Sequence, residues 1–120
     1  MLDLHNQIKL AMIQGDAEHQ YLLGYRYYLG EEVVQDFKSA VILFSQAGEQ
    51  EFVRAQFILG LMYYEGHGVD QDFVKARYWF RKAADNGNIW GKFYIALMNR
   101  DPKIPSREIK RIDILDQKNL

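Results

Sequence analysis

Cysteine and threonine are absent from the 120 residues, serine occurs three times and proline twice. Without cysteine there is no thiol nucleophile, no cysteine–zinc site and no disulfide framework, a composition that fits a reducing compartment. The serines, Ser39, Ser45 and Ser106, stand in no G-x-S-x-G elbow. His5, His19 and His67 form neither H-E-x-x-H nor any i, i+4 pair. The expectation is therefore no catalytic residue, no metal site and no cofactor, with a hydrolase only a remote alternative. No segment approaches the roughly 20 apolar residues of a membrane span. The start, MLDLHNQIKLAMIQG, lacks the basic n-region and long apolar run of a secretory signal. A cytoplasmic protein with no membrane contact is the expectation.

Charge is distributed unevenly. Residues 1–72 hold 4 Lys/Arg against 11 Asp/Glu, a balance of −7, whereas residues 73–120 hold 11 against 5, a balance of +6. Such polarity steers a charged partner or favours weak head-to-tail self-association. The second half also interleaves basic residues with Tyr78, Trp79, Trp90 and Tyr94, a mixture that can grip single-stranded nucleic acid. A pI near 6.3 lacks the basic signature of such domains, and no nucleic-acid partner is expected.

What the chain does contain is a repeat of 36 residues. Residues 21–56 laid on residues 57–92 match at 12 positions without a gap, among them Leu23/Leu59, Gly24/Gly60, Gly30/Gly66, Asp36/Asp72, Phe37/Phe73, Phe44/Phe80 and Ala47/Ala83. Self-similarity at this period marks an array of small supersecondary units. Leu4, Ile8 and Ala11 continue the phase toward the N-terminus, and Phe93, Leu97 and Met98 continue it toward the C-terminus. Phe73, Ala76, Phe80 and Ala83 recur at i, i+3, i+7 and i+10, which is one face of a helix. Asp16, Asp36, Asp72 and Asn88 stand where N-caps belong.

This pattern predicts helices near 2–14, 17–29, 36–48, 52–65, 72–86 and 89–100. The single domain then divides into a partial repeat at 2–14, repeats at about 17–52 and 53–88, a partial repeat at 89–100 and a capping helix at 106–117. Gly24 and Gly60, inside apolar helix faces, carry a propensity cost near 1 kcal/mol that close helix approach would explain.

Units of the form LG-x-x-Y followed by G-x-x-V-x-Q-D-F-x-x-A-x-x-x-F-x-x-A resemble the Sel-one-like repeat family, a relative of the tetratricopeptide repeats. The resemblance covers about residues 2–100 and is most specific over 55–87, where Trp79, Ala84 and Gly87 stand at family positions. The first unit departs from it, with Glu32 for the second turn glycine, Leu43 for the tryptophan and His19 for the small residue. The resemblance implies an all-α fold, a short right-handed α-solenoid whose concave side is lined by the first helix of each repeat. It also implies a non-enzymatic adaptor, chaperone-like subunit or regulator that binds another protein or peptide. Some small bacterial members are immunity proteins that neutralise a toxin, and that narrower role is the alternative. A branch with β-lactamase activity is rich in paired cysteines, which this chain lacks.

On the first helices, apolar residues occur where the repeat does not require them. Leu22, Tyr25, Leu29, Ile58, Leu61, Trp90 and Tyr94, with Glu65 at the edge, follow one stripe and are the candidate partner-binding residues. The competing expectation is that the C-terminal helix fills this groove. The stretch EGHGVDQDF, residues 65–73, reads as an inter-helix turn because its counterpart LGEEVVQDF keeps the first glycine, the valine and QDF. Only His67 and Asp70, which differ between the copies, remain candidates for a special role there.

Overall fold

The computed structural model describes residues 3–104, so the expected helix at 106–117 lies outside the described residues. The elements, in order, are α1 (Leu4–Ile8), a π-helical turn (Lys9–Ile13), α2 (Ala17–Leu29), α3 (Phe37–Glu49), α4 (Val53–Glu65), α5 (Phe73–Asp85) and α6 (Ile89–Arg100). Each helix packs chiefly on its neighbours in sequence, α2 on α3, α3 on α4, α4 on α5 and α5 on α6. The outcome is a stack of antiparallel helix pairs measuring 45 × 28 × 21 Å, a short α-solenoid.

Side-chain caps start most of these helices. Asp16 accepts from the His19 N–H at 3.0 Å, Asp36 from Lys38 and Ser39, Asp72 from Lys75 at 3.0 Å and Asn88 from Gly91 at 2.8 Å. Asp3 caps α1 in the same way, through the Asn6 N–H. Gln35 and Gln71 each donate a side-chain bond of 2.9 Å to the carbonyl of Tyr28 and Tyr64, which accounts for a glutamine recurring in both inter-helix turns.

The N-terminal segment is not one regular helix as the periodicity predicts. After α1 the coil widens, with Gln14 N–H donating to the Lys9 carbonyl and Asp16 N–H to the Leu10 carbonyl, while Gln20 Nε2 takes the Ala11 carbonyl at 3.3 Å. A side chain inserted into the backbone ladder is a recognised cause of such widening.

Buried residues form three groups between successive helices. Ala40, Phe44 and Ala47 of α3 meet Ala55, Leu59 and Met62 of α4, and Ala76 and Phe80 of α5 meet Met98 of α6 and Ile104. A third group joins Ala11 to Leu23 and Leu43. The glycines on the first helices admit the phenylalanine rings: a Cβ added to Gly24 would stand 2.9 Å from the Phe44 ring.

The first inter-helix turn keeps its shape despite losing a glycine. Glu32 adopts φ 62°, the left-handed region occupied by its counterpart Gly68 at φ 75°. At Gly68 a Cβ would meet the Phe37 backbone at 2.6 Å, so glycine is required there by contact as well as by dihedral. At position 32 the left-handed backbone carries a carboxylate that pairs with Arg26 at 2.9 Å.

Candidate functional site

The eight stripe residues come to lie on one side of the stack, on α2, α4 and α6, but at different depths. Leu22, Leu29 and Trp90 are exposed, Trp90 to 56%. Tyr25 and Ile58 are half-buried against the α3–α4 core, and Leu61 and Tyr94 against the α5–α6 core. Tyr94 is stacked on Phe80 with ring centroids 4.9 Å apart and has Phe57 and Tyr64 at 5.8 Å. Glu65 is exposed at the end of α4, with His67 Nε2 3.9 Å from its carboxylate.

Two hollows open on this side. One, of about 310 Å³, lies between α2, α4 and the start of α6 and is lined by Tyr21, Tyr25, Tyr28, Arg54, Phe57, Ile58, Leu61 and Asn88. The other, of about 350 Å³, lies beside α1 and is lined by Gln7, Tyr21, Leu22, Tyr25, Arg26 and Glu31. Tyr21 and Tyr25 belong to both, so the hollows adjoin across α2. The structure thus brings Tyr25, Ile58 and Leu61 together and Leu22 and Tyr25 together. Trp90, Tyr94, Leu29 and Glu65 line neither hollow.

The tyrosines are set by aromatic packing. Tyr21 lies 5.1 Å from Phe52 and 5.7 Å from Phe44 and Tyr25, and Tyr28 lies 5.3 Å from Phe37. Partial burial raises the phenol pKa of Tyr21 and Tyr28 above the ordinary 10.0; nearby Glu65 and Tyr25 push Tyr28 further, while Arg54 opposes the rise at Tyr21. These phenols are neutral donors at physiological pH.

Tyr21, Tyr28, Arg54, Phe57 and Asn88 are members of the site that the sequence stripe leaves out. Tyr21 and Phe57 share a repeat position that is aromatic in both copies without being identical, a signal weaker than identity. Arg54 occupies a position held by Glu18 and Trp90 in the neighbouring units, and nothing in the repeat marks it.

The opposite side of the stack carries two further hollows at equivalent places of the two repeats. A hollow of about 190 Å³ is lined in part by Tyr27, Ser39, Ile42 and Leu43, and one of about 390 Å³ by Tyr63, Lys75, Tyr78 and Trp79. There the lysines already lie over rings, Lys75 over Tyr63 at 5.5 Å and Lys82 over Tyr78 at 5.6 Å.

The residues weighed for chemistry have local partners. Ser39 Oγ donates to Asp36 at 2.7 Å and Ser45 Oγ to the Val41 carbonyl at 2.7 Å. His19 Nδ1 lies 2.9 Å from the Asp16 carboxylate, and the His67 ring stacks on Phe37 with centroids 5.3 Å apart. His67 therefore docks its turn onto the preceding repeat; Asp70 is exposed. Among the described residues no group of three or more His, Asp or Glu stands close enough to hold a metal ion. Among the same residues no helix is long and apolar enough to cross a membrane.

Stacked helix pairs of constant length, with left-handed caps at Gly30 and Gly66 and aromatic-to-glycine packing inside each pair, define a helical-repeat solenoid. The sequence profile described as Sel1 repeat matches residues 17–52 and 53–88, and the chain belongs to that family. Among solved structures, it is similar to c5321, a protective antigen present in uropathogenic Escherichia coli strains displaying an SLR fold. That match has 43% identity and a TM-score of 0.66, covering 68% of this chain and 17% of the other. It is also similar to a Sel1 repeat protein from Oxalobacter formigenes, with 29% identity and a TM-score of 0.70, covering 81% of this chain and 46% of the other. The chain thus spans less than half the length of either structure. No curated protein matches it.

Proposed function

We propose that this chain is a non-catalytic protein-interaction module whose partner docks on the face formed by α2, α4 and α6. Sel1 repeats are commonly protein–protein interaction modules and generally non-catalytic scaffolds. The observation that carries the reading for this chain is the run of exposed and half-exposed aromatic and aliphatic side chains on that face, gathered around two hollows that share Tyr21 and Tyr25. Trp90, Leu22 and Leu29 are the projecting anchors, and Tyr25, Ile58, Leu61 and Tyr94 form the surface on which a partner rests. Burial of such side chains supplies the association energy, and Glu65 on the rim contributes to partner choice.

The test is affinity capture from the native cell with the parent chain and with a folded variant combining Tyr25→Ala, Leu61→Ala and Trp90→Ala. The parent retains a partner that the variant loses, with affinity reduced on the order of 100-fold or more. Full retention by the variant sinks the groove assignment. An immunity role against a toxin is a narrower form of the same reading, and no residue of the face selects a toxin over another protein. A second contact, between copies of the chain, is favoured by the opposite charge of the two halves, −7 over residues 1–72 and +6 over 73–120.

A further inference from the structure

The charges around the two hollows narrow the chemistry of what can dock there; the inference rests on the α2–α4–α6 face being the docking surface. Arg54 is exposed at the 310 Å³ hollow and, among the described residues, makes no ion pair or hydrogen bond. The phenols of Tyr21, Tyr25 and Tyr28 line the same hollow, and their hydroxyls make no hydrogen bond among the described residues. Asn88 spends its Oδ1 on the Gly91 N–H at 2.8 Å, leaving its amide NH2 as a further donor. The lining of this hollow is therefore rich in donors and holds no carboxylate, on a floor of Ile58 and Leu61.

The adjoining hollow has the opposite bias. Arg26 is paired with Glu32 at 2.9 Å and donates to Gln7, whereas Glu31 has no cationic partner among the described residues. Because the hollows meet at Tyr21 and Tyr25, an occupant of both crosses α2 and meets the Arg54 cation in one and the Glu31 anion in the other. A nucleic-acid backbone is disfavoured by this arrangement, since Arg54 is set against Glu31 and Glu65 on the same face.

We propose that the face binds an internal segment of a partner protein in which an Asp or Glu side chain pairs with Arg54. An aromatic or aliphatic residue beside that acid rests on Tyr25, Ile58 and Leu61, and a Lys or Arg further along meets Glu31. An arginine with adjacent phenol and amide donors suits a carboxylate, because charge-assisted bonds are strongest to an ionised acceptor and their geometry selects a planar one. The apolar floor supplies burial, and the two charges fix the direction in which the segment lies.

The experiment selects random peptides displayed on phage against the full chain and, in parallel, against Arg54→Glu and against Tyr25→Ala/Leu61→Ala, each checked for an unchanged melting curve. The parent enriches peptides with an acidic residue next to an aromatic or aliphatic one, and Arg54→Glu enriches a basic residue at that place. For one synthetic enriched peptide, Glu→Gln or Asp→Asn weakens binding to the parent by roughly tenfold or more and leaves binding to Arg54→Gln unchanged. Peptides enriched without an acidic residue, or equally bound by Arg54→Glu, overturn the proposal while leaving the docking face intact. Binding unaffected by Tyr25→Ala/Leu61→Ala overturns the face itself. Failure to enrich any peptide, together with a dimer that Arg54→Glu dissolves, assigns the face to a second copy and also overturns the proposal.

Discussion

Gly60 and Phe80 are in such close contact that a Cβ on Gly60 would stand 2.6 Å from the Phe80 ring. The equivalent distance from Gly24 to Phe44 is 2.9 Å, so the second repeat is the tighter of the two. Both rings are fully buried, and neither can withdraw without opening the helix pair.

From this contact, Gly60→Ala destabilises the fold. Overpacking costs about 1–3 kcal/mol, offset by ~1 kcal/mol of helix propensity. Gly24→Ala destabilises less. Denaturant melts of both variants check the order; equal or increased stability of Gly60→Ala contradicts the packing account.

Arg26 is buried where the neighbouring repeats place Met62 and Met98, and it is held by Gln7 and Glu32. Arg26→Met alone leaves the buried Gln7 amide without its donor and costs about 1–3 kcal/mol. Adding Gln7→Leu removes the orphan and restores stability to near the parent level, since replacing both partners of a buried hydrogen bond by apolar groups can be nearly neutral or stabilising. A double variant no more stable than the single one argues against this.

Several carboxylates are stabilised in the charged form. Asp36 is held below its ordinary 3.8 by the Ser39 hydroxyl and backbone, Asp16 below 3.8 by the His19 backbone N–H, and Glu51 below 4.5 by Asn86, Gln56 and Lys82. A depressed folded pKa contributes stability that is present above the unfolded value and lost as pH falls through the folded one. Tyr21 and Tyr28 have raised pKa values, so their contribution is complete below pH 10.0 and lost as pH rises beyond it. These groups therefore give the melting temperature an acid limb below about 4 and an alkaline limb above about 10. Asp36→Asn makes the acid limb shallower in melts followed by circular dichroism; an unchanged limb removes Asp36 from the explanation.

Self-association, if driven by the opposed halves, is sensitive to salt. Sedimentation velocity at low ionic strength shows mass rising with protein concentration, and about 0.5 M salt, with a Debye length well under 10 Å, abolishes the rise. A monomer at low salt and high concentration contradicts the charge argument.

The helices from α2 onward, the Asp36 and Asp72 caps and the close helix approach at Gly24 and Gly60 were legible in the sequence because each rests on residues that recur at the 36-residue period. Gln20 and Gln56 recur at the same period, just outside the matched segment, and both are buried amides that bind backbone carbonyls, Ala11 and Gly48. The proposed docking face was legible only as a stripe of apolar residues. Arg54, Tyr21 and Tyr28 escaped because a groove depends on how successive helices lean together, and repetition reports on what stays the same between units. Glu32 and Glu51 show the same limit, since both hold left-handed backbones at the places of Gly68 and Gly87. In each, side-chain bonds accompany the strained dihedral, to Arg26 for Glu32 and from Gln56 and Asn86 for Glu51.

The central claim, that the α2–α4–α6 face is the docking surface, is tested most directly by amide chemical-shift mapping of the chain bound to its captured partner. Perturbations clustered on α2, α4 and the start of α6, around Tyr25, Arg54, Ile58 and Trp90, are the predicted result. Perturbations confined to the opposite side, around Tyr63, Lys75 and Tyr78, would contradict it.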